Sequence, residues 1–101
     1  DRLINIHPSL LPAYKGLHVH ERVIAAGEEF SGCTVHYVRP AMDSGPIIVQ
    51  AKVAVEKGDN PDTLAARVLE QEHVIYPKAV RLIAEGRVRI EDERVIIDDD
   101  A

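Results

Sequence analysis

Apolar positions recur along this chain with two periods, and the switches between them divide it into elements. Leu3-Ile4-Asn5-Ile6 is a short, largely apolar run ended by Pro8, and it predicts a buried strand. The next stretch, Pro8 to Gly16, contains prolines and a glycine and predicts a loop. From His18 to Ala26 the spacing is helical. Val19 shares a face with Val23 and His20 with Ile24, and Gly27 is a natural stop. Cys33 to Val38 is alternating and β-branched, which predicts a strand. Ile47 to Val55 predicts a second, with Ile47, Val49, Ala51, Val53 and Val55 on one face and Gln50 and Lys52 on the other. The loop between these strands is short, so they should pair antiparallel.

Beyond a turn at Glu56 to Asn60 the period returns to that of a helix. Asn60 suits a cap and Pro61 suits the first helical position. Leu64, Val68 and Ile75 fall near one apolar stripe, and Pro77 is expected to kink or break the helix. Gly86 should close the second piece. Residues 87–90 and 94–97 predict a weak strand pair around Asp92 and Glu93, and the acidic end is expected to fray.

Composition narrows the class. A length of 101 residues is enough for one small domain. Trp is absent and other aromatics are few, so a core must rest on Val, Ile, Leu and Ala. The formal net charge of -5 argues against a general nucleic-acid binder, although it leaves room for one small anion at a local site. A single cysteine, Cys33, allows no internal disulfide and points to a reducing cytoplasm. No apolar run approaches the roughly 20 residues of a membrane span, and no signal peptide is visible. The chain begins without Met and runs at once into an apolar stretch, so it is expected to be the C-terminal part of a larger enzyme.

Two constellations carry candidate chemistry. In a strand, residues two apart point to one face, so Asn5 and His7 project side by side, and Pro8 holds His7 extended. Ligand sites of open α/β sheets lie beyond the carboxyl ends of strands. An amide and an imidazole there suit a developing oxyanion, the need of an acyl transfer. Ordinary loop hydrogen bonding is the competing account of the same pair. The second constellation is Met42-Asp43-Ser44-Gly45-Pro46. A carboxylate at Asp43 returning near His7 would favour the imidazolium and raise its pKa. Taken alone, Asp-Ser-Gly is also common turn composition. His18 and His20 form an H-x-H pair, but a zinc site needs three or four ligands and no partner motif stands nearby. Ser9 and Cys33 sit in no nucleophile turn and read as a loop polar residue and a buried thiol.

The blocks "NIHPSLLPAYKGLHVH", "SGCTVHYV", "MDSGPIIVQAKV" and "ARVLEQEHVIYPKAV" together resemble the phosphoribosylglycinamide formyltransferases, in order and over nearly the whole chain. The resemblance implies an α/β fold: the C-terminal half of a formyltransferase-type, Rossmann-like open sheet with mixed parallel and antiparallel strands and flanking helices. Residues 1–101 would then be the C-terminal part of a single domain. Its partner would be the N-terminal half of the same enzyme, whose glycine-rich loop cradles the substrate phosphate. The resemblance implies a catalytic trio of Asn5, His7 and Asp43, with 10-formyltetrahydrofolate as formyl donor, glycinamide ribonucleotide as acceptor and no metal. It places the folate against Asn5, Arg39, Pro40, Ala41, Met42 and Asp43. It places the nucleotide substrate against Leu69, Glu70, Gln71 and Glu72, with Glu72 on the ribose hydroxyls and His73 in support. His36 reads as structural. No nucleic acid and no membrane enter as partners.

Two related enzymes share the chemistry. Methionyl-tRNA formyltransferases also have the first motif, but typically continue closer to R-G-A-A-P where this chain has "KGLHVH". Formyltetrahydrofolate deformylases usually have H-H-S-F-L-P in place of "HPSLLP". Both departures favour the purine enzyme. A folate-binding fragment without turnover is the reading from another class, since the trio is present and the phosphate cradle is not.

Overall fold

A computed structural model describes residues 3–39 and 45–98. The chain order is β1 (Ile4–His7), α1 (Val19–Ala25), β2 (Phe30–Tyr37), β3 (Ile47–Ala54), α2 (Pro61–Ala84), β4 (Val88–Glu91) and β5 (Arg94–Ile97). β1, β2 and β3 form one sheet in that order, and β4 and β5 form a separate hairpin.

Every pairing among the described residues is antiparallel, the expected β2–β3 pair included. The parallel component of the expected mixed sheet is not among them. β1 carries a strand partner on one side only among the described residues, and its Leu3 flank and Asn5 are exposed. Among the described residues, the strand expected to be buried is therefore an edge with one open side.

α2 lies over β2 and β3 and forms the core. Leu64, Val68, Ile75 and Ala79 pack with Cys33, Val35, Tyr37, Ile48 and Val53, and α1 adds Val19 and Val23. The start of α2 is built as its sequence predicts. The Asn60 side chain accepts from Thr63 N at 2.9 Å while Thr63 Oγ1 accepts from Asn60 N at 3.0 Å, and Pro61 takes the first turn.

Four expectations need correction. α2 is not broken at Pro77 but runs through it to Ala84. Ile75 before the proline and Ala79 and Leu82 after it are buried on the sheet, so tertiary packing on both sides outweighs one lost backbone bond. Ile47 does not share the core face: it is exposed while Ile48 is buried. The register shifts there, from Val35 opposite Val49 to His36 opposite Ile47, which leaves Ile48 as the inserted residue of a bulge. β2 begins at Phe30, three residues earlier than expected, and ends at Tyr37, leaving Val38 outside and exposed. His18 is the cap of α1 rather than its first residue, in left-handed conformation with φ of 57°. The C-terminal hairpin forms as expected, its tight turn made by Asp92 and Glu93 with φ of 53° and 60°. No helix among the described residues is long and apolar enough to cross a membrane.

Candidate active site

The site is assembled where β1 and the loop that follows it meet α2. Antiparallel register puts Asn5 opposite His36 and His7 opposite Thr34, so Asn5 and His7 share one face as their spacing predicts. The loop from Pro8 to Tyr14 is laid over the same face by Thr34. Its hydroxyl donates to Ser9 O at 2.7 Å and accepts from Leu11 N at 3.1 Å and from the Gln50 amide at 3.0 Å. Gln50 also donates to Leu11 O at 2.9 Å. Gly32 lets Leu10 approach: a Cβ there would meet Leu10 Cδ2 at 2.6 Å and collide with Ala51 O. Ser9, read as a plain loop polar residue, is buried and ties the loop to itself by donating to Ala13 O at 2.6 Å.

This loop returns to His7. The imidazole is 5% exposed, and its Nε2 lies 2.8 Å from Tyr14 O. A carbonyl only accepts, so Nε2 carries the hydrogen and donates. Tyr14 is in turn held by α1, where Arg22 stacks over its ring and donates to the carbonyls of Lys15 and Leu17.

Two hollows meet at β1. One, of about 590 Å³, is lined by Ile4, Asn5 and Ile6 together with Leu69, Glu72, His73, Tyr76 and Pro77 of α2. The other, of about 520 Å³, is lined by His7 and Pro8, the 16–21 stretch, and the start of α2. Burial raises the Glu72 carboxyl above its usual range, opposed by the charges of His73 and His7. Burial lowers His20, and the charge of His7 lowers it further. The charge of His7 thus acts on both Glu72 and His20.

The structure brings Asn5, Leu69, Glu72 and His73 to one hollow and His7 to its neighbour. Glu70 and Gln71 line neither hollow. Pro40, Ala41, Met42 and Asp43 lie outside the described residues. The segment that carries them leaves β2 beside Leu3, where Val38 N donates to Leu3 O at 2.9 Å. His7 is at the far end of β1, four residue steps from Leu3 or roughly 13 Å away. Arg39, expected against the folate, is described and forms an ion pair with Glu93 at 3.1 Å.

Two site groups carry no usable signal in the sequence. The Tyr14 carbonyl is backbone and has no residue signature. The H-x-H pattern pairs His20 with His18, whereas the structure separates the two: His18 faces Glu21 at 3.7 Å on the surface, and His20 turns inward with Nδ1 unpartnered. Among the described residues no group of His, Cys, Asp and Glu is arranged to hold a metal.

A family model described as formyl transferase matches residues 1–80. The chain belongs to the formyl transferase family. It is 47% identical over 97 residues to the phosphoribosylglycinamide formyltransferase of Escherichia coli K12, covering 96% of this chain and 46% of that one. The crystal structure of glycinamide ribonucleotide transformylase 1 from Symbiobacterium toebii superposes with a TM-score of 0.95 at 52% identity, covering 97% of this chain and 46% of that one. A formyltetrahydrofolate deformylase from Pseudomonas syringae superposes with a TM-score of 0.91 at 31% identity, covering 95% of this chain and 32% of that one. The formyl transferase chain thus spans about half the length of the purine relatives it matches.

Proposed function

We propose that this chain carries the catalytic side of a cytoplasmic phosphoribosylglycinamide formyltransferase, as the C-terminal part of a single domain whose other half cradles the substrate phosphate. The observation that carries the reading is the setting of His7. It is a buried imidazole whose Nε2–H is held by a carbonyl, on one sheet face with Asn5 and beside the Glu72 hollow.

In this reaction the amine of glycinamide ribonucleotide attacks the formyl carbon of 10-formyltetrahydrofolate. A C–N bond forms, and the carbonyl electrons move onto oxygen. Asn5 donates to that oxyanion, and His7 in its charged form stabilises it. Collapse restores the carbonyl and expels N10 of the folate, which leaves with a proton; the amine gives one up. Asp43 supports the charged state of His7 and helps move the amine proton through water. Arg39 to Asp43 hold the pterin, and Leu69 to Glu72 hold the nucleotide, with Glu72 on the ribose. No covalent intermediate with the protein and no metal enter. The deformylase reading, with water in place of the amine, has the lower identity behind it.

The test is formyl transfer by this chain with and without the remaining half of its Escherichia coli relative. The chain alone should be inactive, and the complemented pair should place the formyl group on the amine rather than release formate. In the active pair, His7→Ala should lower kcat by at least about 100-fold, the lower end for lost acid-base help. Both substrates should still bind within a few-fold. Asn5→Ala should behave likewise, and the double variant should cost less than the product of the two. A hundredfold loss of binding in His7→Ala, with single-turnover chemistry unchanged at saturation, makes His7 a substrate-holding residue and overturns the mechanism.

A further inference from the structure

We infer that Glu93, in the turn of the β4–β5 hairpin, is a positioning residue for the folate: its carboxylate fixes Arg39 at the point where the chain leaves β2. The inference rests on the proposed placing of the folate against Arg39. It concerns a residue 54 positions away that the site reading does not use.

The contact has the geometry of a fork. Arg39 Nε donates to Glu93 Oε2 at 3.1 Å and Nη2 donates to Oε1 at 3.3 Å. Two parallel bonds fix the plane of the guanidinium as well as its position, which a point-charge contact does not. The rest of the Arg39 side chain is placed too. Its Nη1 lies 3.3 Å from Val38 O, and a Cβ on Gly45 would come within 3.1 Å of its Cγ. Arg39 therefore crosses from one end of the 40–44 segment, past the residue at the other end, to the hairpin. It is 21% exposed while Glu93 is 69% exposed, so the guanidinium is the sheltered partner and the carboxylate reaches in from outside.

The turn itself supplies an independent observation. Glu93 has a φ of 60° in a two-residue turn whose second position strongly favours glycine. A long side chain is disfavoured in that conformation. A hairpin selected for its own stability would carry glycine there; glutamate is the costlier choice, and its carboxylate makes the Arg39 contact. The base of the hairpin is anchored separately, because Val88, Ile90 and Val95 pack against the core. The tip is thus held over Arg39 by the chain's own architecture.

Exposed ion pairs contribute little to stability. Loss of this one should therefore appear in folate binding rather than in the fold. The experiment compares Glu93→Gln and Glu93→Gly in the full-length protein. Both should raise the KM for 10-formyltetrahydrofolate about fivefold, the factor corresponding to roughly 1 kcal/mol at the upper end for an exposed pair. Both should leave kcat and the KM for glycinamide ribonucleotide unchanged. Glu93→Gly relieves the backbone, so its thermal midpoint should stay level or rise while folate binding still weakens. Salt should weaken folate binding more in the wild type than in either variant. A second readout needs no substrate: the Arg39 Nε–H resonance of this chain should be slow to exchange in the wild type and fast in Glu93→Gln. An unchanged folate KM in both variants overturns the inference, as does exchange at Arg39 that Glu93→Gln does not alter. A wild-type protein without formyl transfer would instead count against the functional reading, and the exchange measurement would still judge the ion pair.

Discussion

β2 is buried along both faces, but by different means. Toward α2 it presents Cys33, Val35 and Tyr37 to Leu64, Val68, Ile75 and Ala79, a contact made of apolar area. Toward the Pro8–Tyr14 loop it presents Thr34 and His36, and Thr34 alone joins three groups by hydrogen bonds of 2.7 to 3.1 Å. Apolar burial is non-directional and contributes about 25 cal/mol per Å². It fixes how stable the unit is, but not where any one polar atom points. Hydrogen bonds each contribute only about 1 kcal/mol net, yet they specify direction and are costly to leave half-made. The face that holds the fold together is thus separate from the face that aims His7, and the two should fail in different ways.

The largest effect on stability belongs to the apolar face. Leu64, in the first turn of α2, is fully buried against the sheet. Leu64→Ala should cost about 3 kcal/mol, within the usual range for a buried leucine. Its urea midpoint should fall accordingly, while formyl transfer at temperatures where the variant is folded stays within twofold of wild type. Thr34→Val should cost less, about 1–3 kcal/mol, because it removes a hydroxyl that the Leu11 N–H, the Ser9 carbonyl and the Gln50 amide all use. It should nevertheless lower kcat roughly tenfold, since the loop that brings Tyr14 O to His7 loses its anchor. Equal losses of kcat in the two folded variants would break the division between the faces.

The same division explains what the sequence made legible. Features with a local chemical cause were readable: the Asn60-Pro61-Asp62-Thr63 start of α2, the helical spacing of Val19 and Val23, and the hairpin turn at Asp92 and Glu93. Alternation alone put Asn5 and His7 on one face, and β1–β2 register keeps them there. Features set by a partner were not readable. The Ile48 bulge exists because β3 slips against Val35 and His36, and period-two reading has no access to that slip. Gly32 lies outside the strand that alternation marks from Cys33, and its place inside β2 is explained only by Leu10 lying where its Cβ would be. Pro77 looks like a helix end until Ile75 and Ala79 are seen buried on either side of it. For the site, one group that holds His7 is the main-chain carbonyl of Tyr14, which has no side-chain signature, and the expected support from Asp43 lies outside the described residues.

Cys33 provides the smallest and sharpest test, because it lies on the apolar face and still senses the site. Burial raises its thiol to about 11, and the charge of Glu72 adds to the rise, against an opposing backbone hydrogen bond from Ala51. A group whose folded pKa is raised favours the protonated native state, so its contribution is full below the unfolded value of about 8.5 and is lost as pH climbs toward the folded one. Stability should therefore decline between about pH 8.5 and 11. Burial also raises Tyr37, so the raw decline is not that of the thiol alone. The thiol's share is the difference between wild type and Cys33→Ala in how the urea midpoint falls across that window, and Cys33→Ala should fall less. Glu72→Gln removes the charge but not the burial, so the thiolate, followed by its ultraviolet absorbance, should then titrate slightly lower and still well above 8.5. If Glu72→Gln returned the thiol to its ordinary value, charge rather than burial would govern the apolar face, and the contrast between the two sides of β2 would not hold.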